Sequence, residues 1–206
     1  MELPEEGQGA LRRTLVRTAM AMLEADTHDL SLRAVARAAG VSATAPYRHF
    51  PNKAGLLGAV ASDGFAILTS DLLAAASDGD PREHLVHQGL AYIRFARTRP
   101  ALFRLMFADR RTVERGEGCE AQAYGVLTES VAAIVDTNVE QATLASWAIV
   151  HGLAMLALDG RLEDTAETGL QDVLKLFAFS LGTSRPAPPS ATHSPFESQP
   201  PGPVPR

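Results

Sequence analysis

The sequence predicts an all-α protein. Alanine and leucine recur at intervals of three and four residues through most of the chain, and this spacing places them on one face of a helix. Aromatic residues, which are enriched in strands, make up only 6% of the 206 residues. The predicted helices form an N-terminal domain, residues 1–53, and a longer C-terminal domain, residues 54–182. We expect residues 183–206 to be disordered because they hold eight of the 13 prolines; a proline-rich recognition segment is the alternative.

Helix boundaries follow from capping residues and helix breakers. Ser31, Ser42 and Asp80 are predicted N-caps because their side-chain oxygens can accept from the free N–H groups of a first turn. Asn52 opens the longest helix, and Gly40 ends the second helix as glycines commonly do. The chain from 109 to 118 is charged and glycine-bearing, which predicts a loop. The predicted helices lie at residues 9–24, 32–39, 42–50, 52–76, 81–97, 101–108, 120–135, 140–158 and 163–181.

The composition excludes several classes of protein. Cys119 is the only cysteine, so the chain has neither a disulfide framework nor a structural zinc cluster of cysteines. The first six residues are acidic, unlike the basic start of a signal peptide. No segment is expected to reach the length of about 20 apolar residues that spans a bilayer. We therefore predict a cytoplasmic protein with no membrane partner.

Sequence motifs of enzymes are missing. The chain has no glycine-rich phosphate loop, no Gly-x-Ser-x-Gly and no His-Glu-x-x-His, so we predict no enzyme activity and no cofactor. His84 and His87 have the spacing of two metal ligands, but a clear third ligand is missing, and we predict no metal site. Cys119 is expected in an exposed charged loop. Two interpretations of it remain open, an oxidant-sensing thiol and an ordinary thiol.

A basic segment lies in the N-terminal domain. Two short predicted helices are joined by a turn at 40–42, where glycine allows the sharp reversal of a helix-turn-helix unit. Residues 30–62 contain no Asp or Glu, although the whole chain has a net charge of −5. Such a segment predicts a local electropositive face, which phosphate binding requires. Its cations are Arg33, Arg37, Arg48 and Lys53.

The same segment resembles the N-terminal signature of the TetR family of repressors. The match keeps the spacing of that signature over about residues 11–60, including the turn and the Tyr-x-His-Phe-x-x-Lys run after it. The resemblance implies a DNA-binding regulator whose second short helix enters the major groove. The matching residues are Val35, Ala36, Ala39, Gly40, Val41, Ser42, Tyr47, His49, Phe50, Lys53 and Leu56.

The resemblance also implies DNA contacts. Tyr47, His49 and Lys53 look like phosphate contacts. Ser42, Thr44, Ala45 and Pro46 then face base edges. Family members often have leucine where this chain has Pro46, which leaves fewer donors for base readout. A methylene contact to a thymine methyl and a structural role are both open for this proline. With the hydroxyls and cations nearby, the predicted DNA-binding set is Ser31, Arg33, Ser42, Thr44, Ala45, Pro46, Tyr47, Arg48, His49 and Lys53.

The C-terminal domain resembles the ligand-binding and dimerisation domain of the same family. Residues 100–107 and the pattern Trp147, His151, Gly152 resemble a subclass marked by Trp…His-Gly. The last two helices have wide apolar faces, which predict a four-helix interface between two subunits; packing within one subunit is the alternative for each residue. The predicted interface comprises Leu144, Ala148, Gly152, Met155, Leu170, Val173, Leu174 and Phe177.

A ligand pocket is predicted among the central helices. Each candidate is also explained by ordinary core packing, and only the group as a whole suggests a site for an apolar or aromatic ligand. His151 either binds the ligand or satisfies a buried neighbour. The candidates are Phe65, Leu68, Leu72, Tyr92, Phe95, Phe103, Met106, Phe107, Tyr124, Leu127, Trp147 and His151.

The sequence as a whole predicts a homodimeric repressor that a small-molecule effector releases from palindromic, double-stranded operator DNA. The competing hypothesis is a helical ligand-binding or interaction protein that has lost DNA binding. The acid-free segment and the retained Tyr47, His49 and Lys53 argue against that alternative.

Overall fold

The computed structural model of the protein describes residues 5–27, 29–75, 79–109, 113, 118–163 and 165–182. Within these residues the secondary structure is entirely helical, as predicted. The predicted loop at 109–118 falls largely outside the described residues, and the predicted disordered segment 183–206 falls wholly outside them. The helices are α1 (Glu5–Glu24), α2 (Leu32–Ala38), a 3₁₀ helix (Ala45–Arg48), α3 (Lys53–Ala74), α4 (Pro81–Thr98), α5 (Pro100–Met106), α6 (Cys119–Ala132), α7 (Val139–Leu158) and α8 (Glu167–Ser180).

Three of the predicted N-terminal boundaries depend on side-chain caps that are present. Ser31 Oγ accepts from Ala34 N at 3.2 Å at the start of α2, and Asn52 Oδ1 accepts from Gly55 N at 2.8 Å at the start of α3. Asp80 Oδ1 likewise accepts from Arg82 N at 2.8 Å at the start of α4. Each bond satisfies one N–H that the first turn of a helix leaves without a backbone partner.

The predicted α-helix at 42–50 is wrong. Only a 3₁₀ helix forms, at Ala45–Arg48, and Ser42 Oγ lies 3.3 Å from Thr44 Oγ1 instead of capping a helix. The cause is Pro46, which has no N–H to donate to the Ser42 carbonyl and so removes the first α-helical bond. The Ser42 carbonyl accepts from Ala45 N at 3.0 Å, the shorter-range bond of a 3₁₀ turn.

Helix α3 connects the two halves of the molecule. At its start Leu56 and Val60 are buried in the N-terminal half, where α3 packs against α1. Further along, Phe65 and Leu68 are buried where α3 packs against α4, α5 and α6. Helix α5 packs against both α1 and α3. The two halves therefore share one continuous hydrophobic core.

Two helices are long and apolar enough to span a membrane by length and composition alone, contrary to the expectation from the sequence. They are α3 and α7, each with a mean hydropathy of 1.4 over its most apolar window. In α3, 56% of that window is buried inside the protein, as expected of a core helix, whereas in α7 only 22% is buried. The apolar surface of α7 therefore needs a separate explanation.

The crossing of α3 and α5 depends on Gly64. A Cβ atom at this position would lie 2.8 Å from Met106 Sδ and 3.1 Å from Leu102 Cδ1, and both neighbours are fully buried. We expect Gly64→Ala to lower the free energy of unfolding by about 1–3 kcal/mol, because the side chains cannot move aside without strain. Urea denaturation measures the change.

Gly125 provides the matched control for this substitution. It also lies within a helix, α6, but a Cβ atom there meets nothing within 4 Å. Gly125→Ala is therefore expected to leave stability unchanged or raise it by up to about 1 kcal/mol through helix propensity. Equal effects of the two substitutions would show that the close approach at Gly64 is unimportant.

Candidate DNA-binding surface and ligand cavity

Most of the predicted DNA-binding side chains are accessible in the N-terminal half. Ser31, Ala45 and His49 are half-buried, and the exposed ones are Arg33, Ser42, Thr44, Tyr47, Arg48 and Lys53. Pro46 is buried, so it does not face base edges as predicted. Its ring packs inward at the 3₁₀ helix and serves the fold instead.

A carboxylate lies next to the N-cap residue of α2. Asp29 Oδ1 accepts from Ser31 N at 2.8 Å, and hydrogen bonds from the backbone and hydroxyl of Ser31 hold the pKa of Asp29 below its ordinary value. Asp29 is therefore ionised at neutral pH and places a negative charge beside Ser31, one of the predicted DNA contacts. Ser31 is correspondingly a weaker candidate for DNA contact than its sequence position suggested.

Further cations extend the basic surface beyond the predicted set. Arg37 on α2 is exposed, as are Arg12, Arg13 and Arg17 on α1. The Arg12 guanidinium lies 5.4 Å from the centroid of the buried Phe50 ring, a cation–π contact that ties α1 to the end of the 3₁₀ helix. Residues 9–60 contain seven Arg and Lys against three Asp and Glu, so this half is basic in an acidic chain. This charge balance, visible in the sequence, could have added the arginines of α1 to the predicted DNA-binding surface.

The C-terminal half encloses a cavity of about 510 Å³ among α3, α4, α6, α7 and α8. This volume falls within the range of roughly 300–1,000 Å³ that small-molecule sites occupy. Eight of the twelve predicted pocket residues line it, namely Phe65, Leu68, Leu72, Tyr92, Phe107, Tyr124, Leu127 and Trp147.

The other four predicted pocket residues do not line the cavity. Phe95, Phe103 and Met106 are buried in the core. His151 Nδ1 and the Tyr92 hydroxyl form a hydrogen bond of 2.9 Å, so His151 satisfies a buried neighbour. The sequence placed these residues in the pocket because side chains in the core and side chains at a cavity wall have the same helical spacing.

Several polar groups at the cavity were missed. Gln88 and Ser146 are buried in its wall, and Ser62 and Glu120 also contribute. Cys119 was expected in an exposed loop, but it is the first residue of α6, is half-buried and lines the cavity. The sequence could have indicated that Gln88 faces the cavity, because its spacing from Leu85 and Tyr92 places all three on one face of α4.

The Tyr92–His151 pair is electrically neutral at physiological pH. Burial raises the pKa of Tyr92 far above its ordinary value, and burial also lowers the pKa of His151. The His151 ring stacks on Phe103 with a centroid separation of 5.5 Å and meets the edge of Phe107 at 4.7 Å. The pair therefore joins α4 to α7 within an aromatic cluster.

An exposed apolar face lies on α7 and α8. On α7, the polar Thr143 and Ser146 are buried, with hydroxyls bonded to the Val139 and Ala142 carbonyls at 2.8 and 2.7 Å. The outward side of the two helices instead carries large apolar groups, whereas a surface helix usually buries its apolar residues and exposes its polar ones. These groups are Leu144, Leu156, Val173, Leu176 and Phe179.

The predicted interface residues divide between this face and the interior. Leu144, Ala148 and Val173 are exposed, and Gly152 and Met155 are half-buried. Leu170 and Leu174 are buried within the protomer, and Leu174 lies against Gly89 of α4. Phe177 lines the cavity. The prediction therefore chose the inner face of α8 because both faces are apolar, whereas the outer face carries Leu176 and Phe179.

No cluster of three or more His, Cys, Asp or Glu suited to a metal ion occurs within the described residues. His84 and His87 both lie on the early turns of α4 and are half-buried there.

Family models match both halves of the chain. The model described as "Bacterial regulatory proteins, tetR family" matches residues 15–60. The model described as "Tetracyclin repressor-like, C-terminal domain" matches residues 85–177. The matches cover 46 and 93 of the 206 residues. Among proteins of curated function, none matches this sequence significantly.

Solved structures share the fold. A protein of unknown function from Rhodococcus sp. RHA1 is 31% identical, with a TM-score of 0.68 over 82% of this chain and 94% of that one. A regulatory protein of the tetR family from Rhodococcus RHA1 is 18% identical, with a TM-score of 0.57 over 83% and 96%. A TetR variant from Acinetobacter baumannii AYE, solved in complex with minocycline, is 21% identical, with a TM-score of 0.55 over 86% and 92%.

Both halves of the chain thus match models of one family, in an all-helical fold with a basic helix-turn-helix at one end and a cavity at the other. The protein belongs to the TetR family of bacterial transcription regulators.

Proposed function

We propose that the protein is a homodimeric transcriptional repressor, which binds a palindromic operator and is released by a small apolar or aromatic ligand. The observation that carries this proposal is the double role of α3. Its first residue, Lys53, is exposed next to the helix-turn-helix, and its later residues Phe65, Leu68 and Leu72 line the cavity. A ligand that moves α3 therefore acts directly on the DNA-binding half.

Helix α5 supplies a second connection between the cavity and the DNA-binding half. Phe107, just after α5, lines the cavity and meets the edge of Phe65 at 5.4 Å. At the start of α5, the Arg99 guanidinium pairs with Glu24 at the end of α1 at 2.9 Å. A ligand that displaces Phe107 would thus shift α3 and α5, and α5 packs against α1. In this mechanism the ligand changes the spacing of the two DNA-binding units.

The homodimer is supported by the outer face of α7 and α8. Large apolar side chains there are exposed while hydroxyls on the same helix are buried, an arrangement that favours a partner surface. A two-fold axis through this face would assemble four helices and present two helix-turn-helix units to successive major grooves. The same face accounts for the apolar composition of α7 without a membrane, so we place the protein in the cytoplasm.

We assign the C-terminal domain to the subclass with the Trp…His-Gly pattern. In support, Trp147 lines the cavity. One turn further along α7, His151 bonds Tyr92 of α4, and Gly152 lies beside the exposed apolar residues of α7. This pattern would therefore join the cavity wall to the subunit interface on a single helix. The matched family models describe regulators, and we propose no enzyme activity.

Gel-shift titration tests the proposal, with DNA from the region upstream of the protein's own gene over a series of salt concentrations. We expect selective binding by a dimer that weakens steeply with salt. A saturating ligand that leaves operator affinity unchanged contradicts the ligand response. Failure to select any DNA sequence from a genome-wide pool contradicts the DNA-binding function and favours the interaction-protein alternative.

Lys53→Ala is expected to weaken binding to all DNA sequences alike and to reduce the slope of log affinity against log salt by about one, because one phosphate contact is lost. Lys175→Ala is the matched control: it removes the chain's other lysine, which pairs with Glu83 at 3.3 Å on the C-terminal half. An unaltered slope for Lys53→Ala removes this residue from the phosphate contacts.

A further inference from the structure

An unsatisfied amide lies in the wall of the cavity. Gln88 on α4 is only 4% exposed, and its Oε1 atom is buried without a hydrogen-bond partner. Buried polar groups in folded proteins nearly always have partners, so an orphaned oxygen of this kind calls for an explanation. The neighbouring residues on the same face of α4, Leu85, Gly89 and Tyr92, also line the cavity, which places Gln88 at the centre of that wall.

Three other hydroxyl groups at the cavity already have hydrogen-bond partners. The Ser62 hydroxyl donates to the Gly58 carbonyl at 3.0 Å, and the Ser146 hydroxyl donates to the Ala142 carbonyl at 2.7 Å. The Tyr92 hydroxyl is shared with His151. What the two serines retain for a ligand is their oxygen lone pairs. These groups therefore offer a ligand acceptors, whereas Tyr124, Trp147 and Cys119, which also line the cavity, carry donors.

The charge of the wall disfavours an anionic ligand. Glu120 contributes a carboxylate to the lining, and none of the lining residues that the structure describes is Lys or Arg. Among the described lining residues, an anionic ligand would therefore find no cation to neutralise its charge. Much of the wall is apolar, including Phe65, Leu68 and the Trp147 ring.

We propose that the effector is a neutral or cationic aromatic molecule with a hydrogen-bond donor, and that the amide oxygen of Gln88 accepts from this donor. The last torsion of glutamine is broad, so the amide can turn its oxygen towards the ligand with little strain. Because the oxygen is already buried without a partner, a ligand donor supplies a hydrogen bond that the amide otherwise lacks, and a ligand without a donor leaves the oxygen unpaired. The assignment rests on the proposed function of the cavity as the effector site.

Matched naphthalene probes test the assignment. 2-Naphthol has a donor, 2-methoxynaphthalene has the same ring and oxygen without the donor, and 2-naphthoate is anionic. Calorimetric titration gives the affinities, and quenching of Trp147, the only tryptophan, reports entry into the cavity. We expect 2-naphthol to bind about tenfold more tightly than 2-methoxynaphthalene, in line with one additional hydrogen bond. We expect 2-naphthoate to bind most weakly.

Gln88→Leu should abolish the preference for 2-naphthol and leave the affinity for 2-methoxynaphthalene unchanged or higher. The variant is expected to fold, because leucine of similar size replaces an unpaired polar group. Gln122→Leu is the matched control, since Gln122 is exposed on α6 and lies outside the cavity lining; it should keep the tenfold preference.

Three results would overturn the assignment: equal binding of 2-naphthol and 2-methoxynaphthalene, a preference that survives in Gln88→Leu, or no quenching of Trp147 by any probe. Operator binding measured with the same probes separates this assignment from the proposed function. If 2-naphthol binds through Gln88 but leaves operator affinity unchanged, the ligand response fails while the role of Gln88 stands.

Discussion

Replacement of Leu144 and Leu176 by aspartate is expected to convert the dimer into monomers and to abolish operator binding. Within the protomer these side chains are 55% and 78% exposed, respectively, so the substitutions should leave the protomer folded. A leucine that becomes buried at an interface contributes about 1.5–3 kcal/mol. The two-fold axis doubles the number of lost contacts, and the association constant should fall by about four orders of magnitude or more.

Sedimentation at micromolar protein concentration measures the dimer, and a gel shift measures its effect on DNA binding. Leu73→Asp is the matched control, because Leu73 is 56% exposed on α3 and lies outside the face formed by α7 and α8. The control should stay dimeric. If the double variant remains a dimer with unchanged affinity, the apolar face of α7 and α8 is not the subunit interface.

Phe103→Ala is expected to lower the free energy of unfolding by about 3–5 kcal/mol, since it leaves a large void in the core. The ring is fully buried and lies within 4.9–6.4 Å of the Tyr92, Phe95, Phe107 and His151 rings. For a chain of this size the melting temperature should fall by roughly 10 °C. Calorimetry and urea denaturation measure the two quantities.

Two variants control this experiment. Phe103→Leu retains much of the ring's volume and should lose markedly less stability. Tyr47→Ala removes a half-exposed aromatic side chain at the DNA-binding surface and should change stability by no more than about 0.5 kcal/mol. A loss below about 1 kcal/mol for Phe103→Ala would mean that the aromatic cluster can collapse around the missing ring.

Side-chain caps and turn residues were sufficient to predict the helix-turn-helix, except for the type of its second helix, which depends on Pro46. The caps at Ser31 and Asn52 depend on neighbours three residues away, so the sequence reveals them directly. The second short helix was predicted to begin at a Ser42 cap and to run to Phe50, but Pro46 removes a backbone donor within its first turn. That failure was also local, and closer attention to the proline would have predicted the 3₁₀ helix.

The exposed apolar face of α7 and α8 shows why periodicity alone was insufficient. Helix α8 is apolar on two sides, with Leu170 and Leu174 on one and Val173 and Leu176 on the other. Spacing of three and four residues identifies each stripe but does not say which of them meets α4 within the protomer. That choice depends on the packing of elements distant in the chain, and it reversed part of the predicted interface.

The sequence by itself determined the helical fold, the N-terminal helix-turn-helix and the family, because caps, turn residues and the acid-free segment act over short distances along the chain. Only the tertiary structure decided which aromatic residues face the cavity and which fill the core, and that the Gln88 amide oxygen is buried without a partner. The reason is physical: burial and hydrogen bonding at these positions arise where helices distant in sequence meet, and each side chain's own pattern is compatible with either environment.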